Sequence, residues 1–313
     1  MKKLIKTGFV IGFSLVLALS FAACGSSEDK EDVSAEDPAV SDTQDPASYA
    51  GGRDGQEIID EVMAKAAAEY ENLEELKGFW QICACRSVLG EDAVQGKSFD
   101  LSDENPDQPG VFVLASLIMG TDPSDYEGHD YLGDLKAMGA EGEYTVPIFN
   151  LMAWNALDDD EAVLDAETED GLISKCINLV MDLSMGPDMG GWALAALRPY
   201  MDHDIYGEQI KAAADYYVET VGSDMAGESM GSPGITYSCV CLGLTALSDS
   251  GREGCDVASD EPWLSHNPLG LIYDNIDKGE ENVTDYYNSQ YYFTISELKH
   301  VRDGEGMTWN NLK

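Results

Sequence analysis

The stretch Asp188-Met-Gly-Gly-Trp-Ala-Leu-Ala-Ala-Leu-Arg-Pro-Tyr200 restricts this chain most. From Trp192 to Leu197 it is apolar on every side of a helix, and Pro199 ends it. A helix with no polar face is buried within a larger helical body. Gly190, Gly191, Ala193, Ala195 and Ala196 leave room for neighbouring helices to come close. Asp188 reads as its N-cap, accepting from free amides; contact with a ligand is the second reading.

The same kind of stretch recurs. Apolar helices are expected at Gly78 to Leu89, Gly110 to Met119, Thr145 to Leu157, from Asp188, at Thr236 to Leu247 and at Tyr291 to Val301. Amphipathic helices are expected at Gly55 to Glu71, Tyr131 to Met138, Gly171 to Leu183, Tyr206 to Val221 and Leu264 to Ile276. The apolar helices start roughly 30 to 55 residues apart, the scale of a helical-hairpin repeat. Six hairpins over residues 53–313 can close into an all-α (α/α)6 toroid with the apolar helices inside. An open solenoid is the competing arrangement, but it exposes one face of each inner helix.

The N-terminus carries a different pattern. Met1 to Lys6 is basic, Gly8 to Phe21 is apolar, and Ala22-Ala23-Cys24 follows. This reads as a secretion signal over residues 1–23, with Cys24 the lipidated first residue of the exported chain. A plain signal peptide with an unmodified Cys24 is the alternative. Residues 24–52 are acidic and rich in Ser, Pro and Ala, so they read as a disordered tether to the outer face of a bacterial cell membrane.

Lys and Arg number 18 against 59 Asp and Glu, a net charge of −41. That field repels nucleic acid, so none is expected as partner. Cys83, Cys85, Cys176, Cys239, Cys241 and Cys255 remain after Cys24. Five of the six lie in apolar helical patterns, where a thiol behaves as a small hydrophobe. A cross-helix disulfide such as Cys83–Cys241 stays open.

Asp188-x4-Ala193-Leu194-x-Ala196-Leu197-x-Pro199-Tyr200 resembles a motif of bacterial surface proteins related to the transcobalamin and intrinsic-factor type. Gly234 to Leu247 looks like the next inner helix of that group, within the prenyltransferase and terpenoid-cyclase α/α-toroid superfamily. The resemblance implies the toroid fold and a ligand or partner at its cavity or rim. It does not carry the enzymes' reacting atoms. The positions matching the prenyltransferase zinc segment are Gly234-Ile-Thr236-Tyr237-Ser238, without carboxylate or thiolate. The cyclase acid motif falls on Asp188-Met-Gly190-Gly191-Trp192-Ala193, without its central acid.

Trp80, Tyr144, Trp192, Tyr237, Tyr291 and Tyr292 lie near the starts of inner helices, and such starts share one rim in a toroid. With Asp188 they form the candidate ligand site for a small molecule, a glycan or a surface partner; toroid core is the plainer reading of the aromatics. Asp158-Asp-Asp-Glu161 with Asp165, Glu167, Glu169 and Asp170 can offer calcium hard oxygens, but misses EF-hand spacing and reads as a solvated loop. The four histidines are too scattered for a metal site. No catalytic residue, metal ligand or cofactor is assigned. The expected function is non-catalytic binding. The rivals are a glycan lyase or hydrolase using rim carboxylates, and a structural surface protein with a filled ring.

Overall fold

The computed structural model describes residues 46–157, 166–225, 233–261, 263–278 and 281–312. The signal segment, Cys24 and most of the tether fall outside these residues, as does the acidic run 158–165.

The described chain is mostly helical. Its helices are α1 Gly55–Glu71, α2 Gly78–Leu89, α3 Pro109–Met119, α4 Tyr131–Met138, α5 Val146–Ala156, α6 Ala166–Met181, α7 Pro187–Leu197, α8 Gly207–Ser223, α9 Pro233–Asp249, α10 Trp263–His266, α11 Pro268–Asn275 and α12 Glu281–Arg302. Local chemistry sets several starts. Asp54 and Glu57 form a reciprocal capping box on α1. Proline stands in the first turn of α3, α5, α7 and α11, where its missing N–H costs nothing. None of the described helices is long and apolar enough to cross a membrane.

The apolar helices pack in succession: α2 on α3, α3 on α5, α5 on α7, α7 on α9, and α9 on α12. The succession returns, because α12 packs on α2. Between α2 and α12, starts meet starts and ends meet ends, so this pair runs parallel. Trp80 reaches Tyr286 near the starts of α2 and α12, while Ser87 reaches Ser296 near their ends. The amphipathic helices cover the outside, with α1 on α2 and α12, α4 on α3, α6 on α5 and α7, and α8 on α6 and α7.

Two glycines permit the closest approaches. A Cβ on Gly191 of α7 would lie 2.1 Å from the Cys239 carbonyl oxygen of α9. One on Gly110 of α3 would lie 2.5 Å from the Phe149 carbonyl carbon of α5. Both distances are far inside van der Waals contact, so only glycine fits without a backbone shift.

Three expectations need correction, and one connection takes a form of its own. Residues 46–52, read as tether, fold as a 3-10 segment against α11. Asn267 Nδ2 donates to the Pro46 carbonyl at 2.8 Å, and the Ala50 amide donates to Asp274 at 3.0 Å. No α-helix lies between α2 and α3. Instead β1 Glu75–Lys77 and β2 Ser98–Asp100 pair in parallel, Leu76 opposite Phe99, and a loop leads over the start of α2. The helix expected over Leu264 to Ile276 is divided into α10 and α11 by Asn267, whose φ of 44° is left-handed and whose side chain caps Gly270. Asp188 is not the N-cap: Gly186 is, because Pro187 starts the helix one residue earlier.

All six described cysteines are free and buried. Burial raises the thiol pKa of each, Cys85 to about 11, so none is poised as a thiolate.

Candidate functional site

The packed helices bring aromatic rings from α2, α5, α7 and α12 together. Trp80 and Trp192 stack, with centroids 5.6 Å apart and planes at 26°. Phe149 lies 6.1 Å from Trp80 and 5.9 Å from Trp192. Phe293 lies 5.8 Å from Trp80. Trp309, from the 3-10 turn Thr308–Asn311, packs beneath them, 5.8 Å from Phe79 and 5.3 Å from Phe293. The centre of the helix set is thus occupied by side chains of the chain itself.

At the amino-terminal end of this cluster, polar groups surround the tryptophan pair. The indole N–H of Trp80 donates to the Tyr286 hydroxyl at 3.1 Å. The Gln290 side-chain amide also hydrogen-bonds that phenol, and its Oε1 is buried without a partner. The loop after β2 places Glu104 over the start of α2, where Oε1 accepts from the Phe79 amide at 2.7 Å. Asp188 sits one turn before Trp192 on the same face of α7, and its Oδ1 accepts from the Met189 amide at 3.0 Å. Burial raises the carboxyl pKa of both Glu104 and Asp188, against the pull of their backbone hydrogen bonds. Burial likewise pushes the Tyr286 phenol up, and the charge of Glu104 adds to it. Trp192, Asp188, Glu104 and Tyr286 are each partly exposed, so this end meets solvent.

Of the seven candidate residues, Trp80, Trp192 and Asp188 come together here. The others do not join them. Tyr292 faces α1, with its hydroxyl on Glu69 at 3.1 Å and its ring edge-on to Tyr70. Tyr291 is buried, with its hydroxyl beside Gly234 at the start of α9. Tyr237 is half-buried, and burial pushes its phenol up to about 12, with the Asp224 carboxylate adding to the rise. Tyr144 precedes α5 in a left-handed conformation and is 36% exposed.

The carboxy-terminal end of the same helices is different. Glu297 of α12 is fully buried. It accepts from the Ser87 hydroxyl at 2.7 Å, from the Thr308 hydroxyl, and from the Trp309 amide at 3.4 Å. Burial raises its carboxyl pKa in spite of those donors. Arg86 holds the Thr308 carbonyl at 3.1 Å. His300 bridges the Ser87 carbonyl at 2.8 Å and Glu305 at 2.6 Å. Burial works against its cation, but those two acceptors prevail and its pKa is raised. A pocket of about 260 Å³ lies outside this network, with Arg86, Glu91, His300 and Glu305 on its wall.

Among the described residues no group of three or more His, Cys, Asp or Glu is placed to hold a metal ion. Glu104, Tyr286, Gln290 and Glu297 were not expected as site residues. Glu297 had a signal, a lone acid in the apolar run Tyr291 to Leu298; Glu104 was one acid among several in its loop. No family model, no curated protein and no solved structure matches this chain.

Proposed function

We propose that the chain is an α/α-toroid held outside a bacterial cell by a lipid on Cys24, and that it binds a ligand or partner at one mouth without catalysis. The return of packing from α12 to α2 supports closure of the six apolar helices. The hairpin preceding α3 lacks an outer helix, so the toroid carries five complete hairpins and one replaced by the β1–β2 pair. The anchored location rests on the residues around Cys24.

The observation that carries the binding reading is the stacked Trp80–Trp192 pair, of which Trp192 is partly exposed, with Asp188 one turn before Trp192 and Glu104 on the amide next to Trp80. An apolar floor with a few polar groups around it is the usual make-up of a small-molecule site. Because aromatic side chains fill the centre, the ligand sits on the mouth rather than deep inside. A filled centre also suits a purely structural protein. Partly exposed Glu104 and Asp188 and the unpaired Gln290 oxygen at this end favour binding.

The test is a thermal-shift and tryptophan-fluorescence screen of the full chain with glycans, isoprenoids and corrinoids. A ligand of the folded state raises Tm by mass action. At least one class should raise Tm and shift emission, and Trp192→Ala should remove both effects. Silence from all three classes rejects the reading. Release of product from a glycan, abolished by Asp188→Asn or Glu104→Gln, would replace it with the enzymatic one.

A further inference from the structure

We infer that residues 303–309 form a cap whose hold weakens as pH rises, with His300 as its catch. When the His300 ring gives up a proton, the segment lifts more often from Glu297 and uncovers the aromatic centre at the end of α2 opposite Trp80. The inference is independent of the ligand mouth.

The way His300 is held carries it. Nε2 meets the Ser87 carbonyl of α2 at 2.8 Å, and Nδ1 meets the Glu305 carboxylate at 2.6 Å. Neither partner has a hydrogen to give. A neutral imidazole has one N–H and serves one of them; the imidazolium serves both. The bridge from α2 through His300 to the cap is therefore complete only in the cation. The His300 side chain is 24% exposed and borders the pocket of about 260 Å³, so protons reach it.

Charged groups face the ring from each side. Glu297 lies one turn back on α12 and Glu305 lies in the cap, and both favour the cation. Asp303, at the end of α12, also interacts with it. On the α2 side Arg86 and Glu91 share the pocket wall, one cation and one anion.

The closed cap carries costs that opening removes. Glu297 is fully buried, which disfavours its charge. The Trp309 indole N–H is buried without a partner, and water would supply one. Gly304 and Gly306, with φ of 78° and 76°, give the backbone two places to hinge. Against opening stand the Arg86 bond to the Thr308 carbonyl, the Thr308 and Trp309 donors on Glu297, and the Trp309 ring on Phe79 and Phe293. The His300 pKa is raised in the fold, so its hold is full below the ordinary histidine range and is lost as pH rises through the raised value. Glu297 is raised as well and acts in the same direction.

Amide hydrogen exchange of the full chain, divided by the intrinsic rate at each pH, reads such local opening. From pH 5 to pH 8, protection over 303–309 should fall roughly tenfold, the scale of one charge-assisted hydrogen bond. Protection over α7 and α9 should hold. Glu305→Gln keeps an acceptor but drops the charge, so the midpoint of the fall should move to lower pH. His300→Gln has no ring to titrate and should flatten most of the fall. Equal protection of 303–309 at both pH values would overturn the cap. A parallel fall in α7 and α9 would do the same, because the pH effect would then be global unfolding. A midpoint unmoved in Glu305→Gln would take His300 out of the catch.

Discussion

Helices α2 and α12 present two ends built from the same two backbones, and the ends have opposite chemistry. At their starts Trp80 is buried under a partly exposed Tyr286, with Glu104 over the start of α2 and the Gln290 amide oxygen unpaired. At their ends Ser87 and Glu297 are closed over by residues 303–309, and the Glu297 carboxyl receives three donors. Sealing a carboxyl is tolerable only when its lone pairs are met. The carboxy-terminal end therefore spends its carboxyl on the fold. The amino-terminal end holds capacity in reserve, and reserve capacity is what a ligand uses.

The largest expected effect sharpens this contrast. Trp309→Ala removes a ring packed on Phe79 and Phe293 and should cost about 3–5 kcal/mol in urea unfolding. Trp192→Ala removes a half-exposed ring and should cost less than half as much, while abolishing any fluorescence response to ligand. Equal losses would mean that both ends are core.

Next comes the buried acid. The Glu297 pKa is raised in the fold, so its neutral form is the favoured one. Its contribution is fully present below the ordinary carboxylate range and is lost as pH rises through the raised value. His300 is raised too, so its contribution also fades as pH rises through its own, higher range. Tm should fall from pH 5 to pH 8, and Glu297→Gln should flatten part of that fall. An unchanged slope in Glu297→Gln would take the acid out of the seal.

A third substitution probes the packing beneath the open end. Gly191→Ala pushes a methyl group against the Cys239 carbonyl and should cost about 1–3 kcal/mol by denaturant unfolding. A neutral outcome would show α7 and α9 free to part, and the mouth softer than its geometry implies.

Much of the helical pattern was legible because burial imposes a period. Helices α1, α2 and α4 span the residues that their apolar spacing marks out. The starts were harder. Pro187 moved the α7 start one residue upstream, and α12 begins ten residues before its apolar run because Glu281 to Gln290 is polar enough to resemble a loop. Residues 46–52 looked like tether because their hold on α11 comes from Asn267 and Asp274, more than 200 residues away. For the site, aromatics near helix starts pointed to Trp80 and Trp192. Neighbours on a helix diverge by about 100°. That turn sends Tyr292 to α1 and Tyr291 to α9. Glu104 and Gln290 gave no such sign, because only the folded chain sets them beside the indoles.

The smallest expected effect is the most discriminating. Asp188 sits at the positive end of α7, which favours a carboxylate by about 0.3–1 kcal/mol. Its pKa is nevertheless raised, so burial outweighs the helix end and the Met189 amide. Asp188→Asn keeps the acceptor oxygen and removes the charge. Below the ordinary carboxylate range the variant and the parent should melt together, because the acid is then neutral in both folded and unfolded chains. As pH rises to 7 the parent alone acquires the disfavoured charge, so the variant should melt slightly higher. A variant that melts lower at pH 7 would show the carboxylate to be structural. The open end would then be bound up in the fold as fully as the sealed one, and the contrast between them would fail.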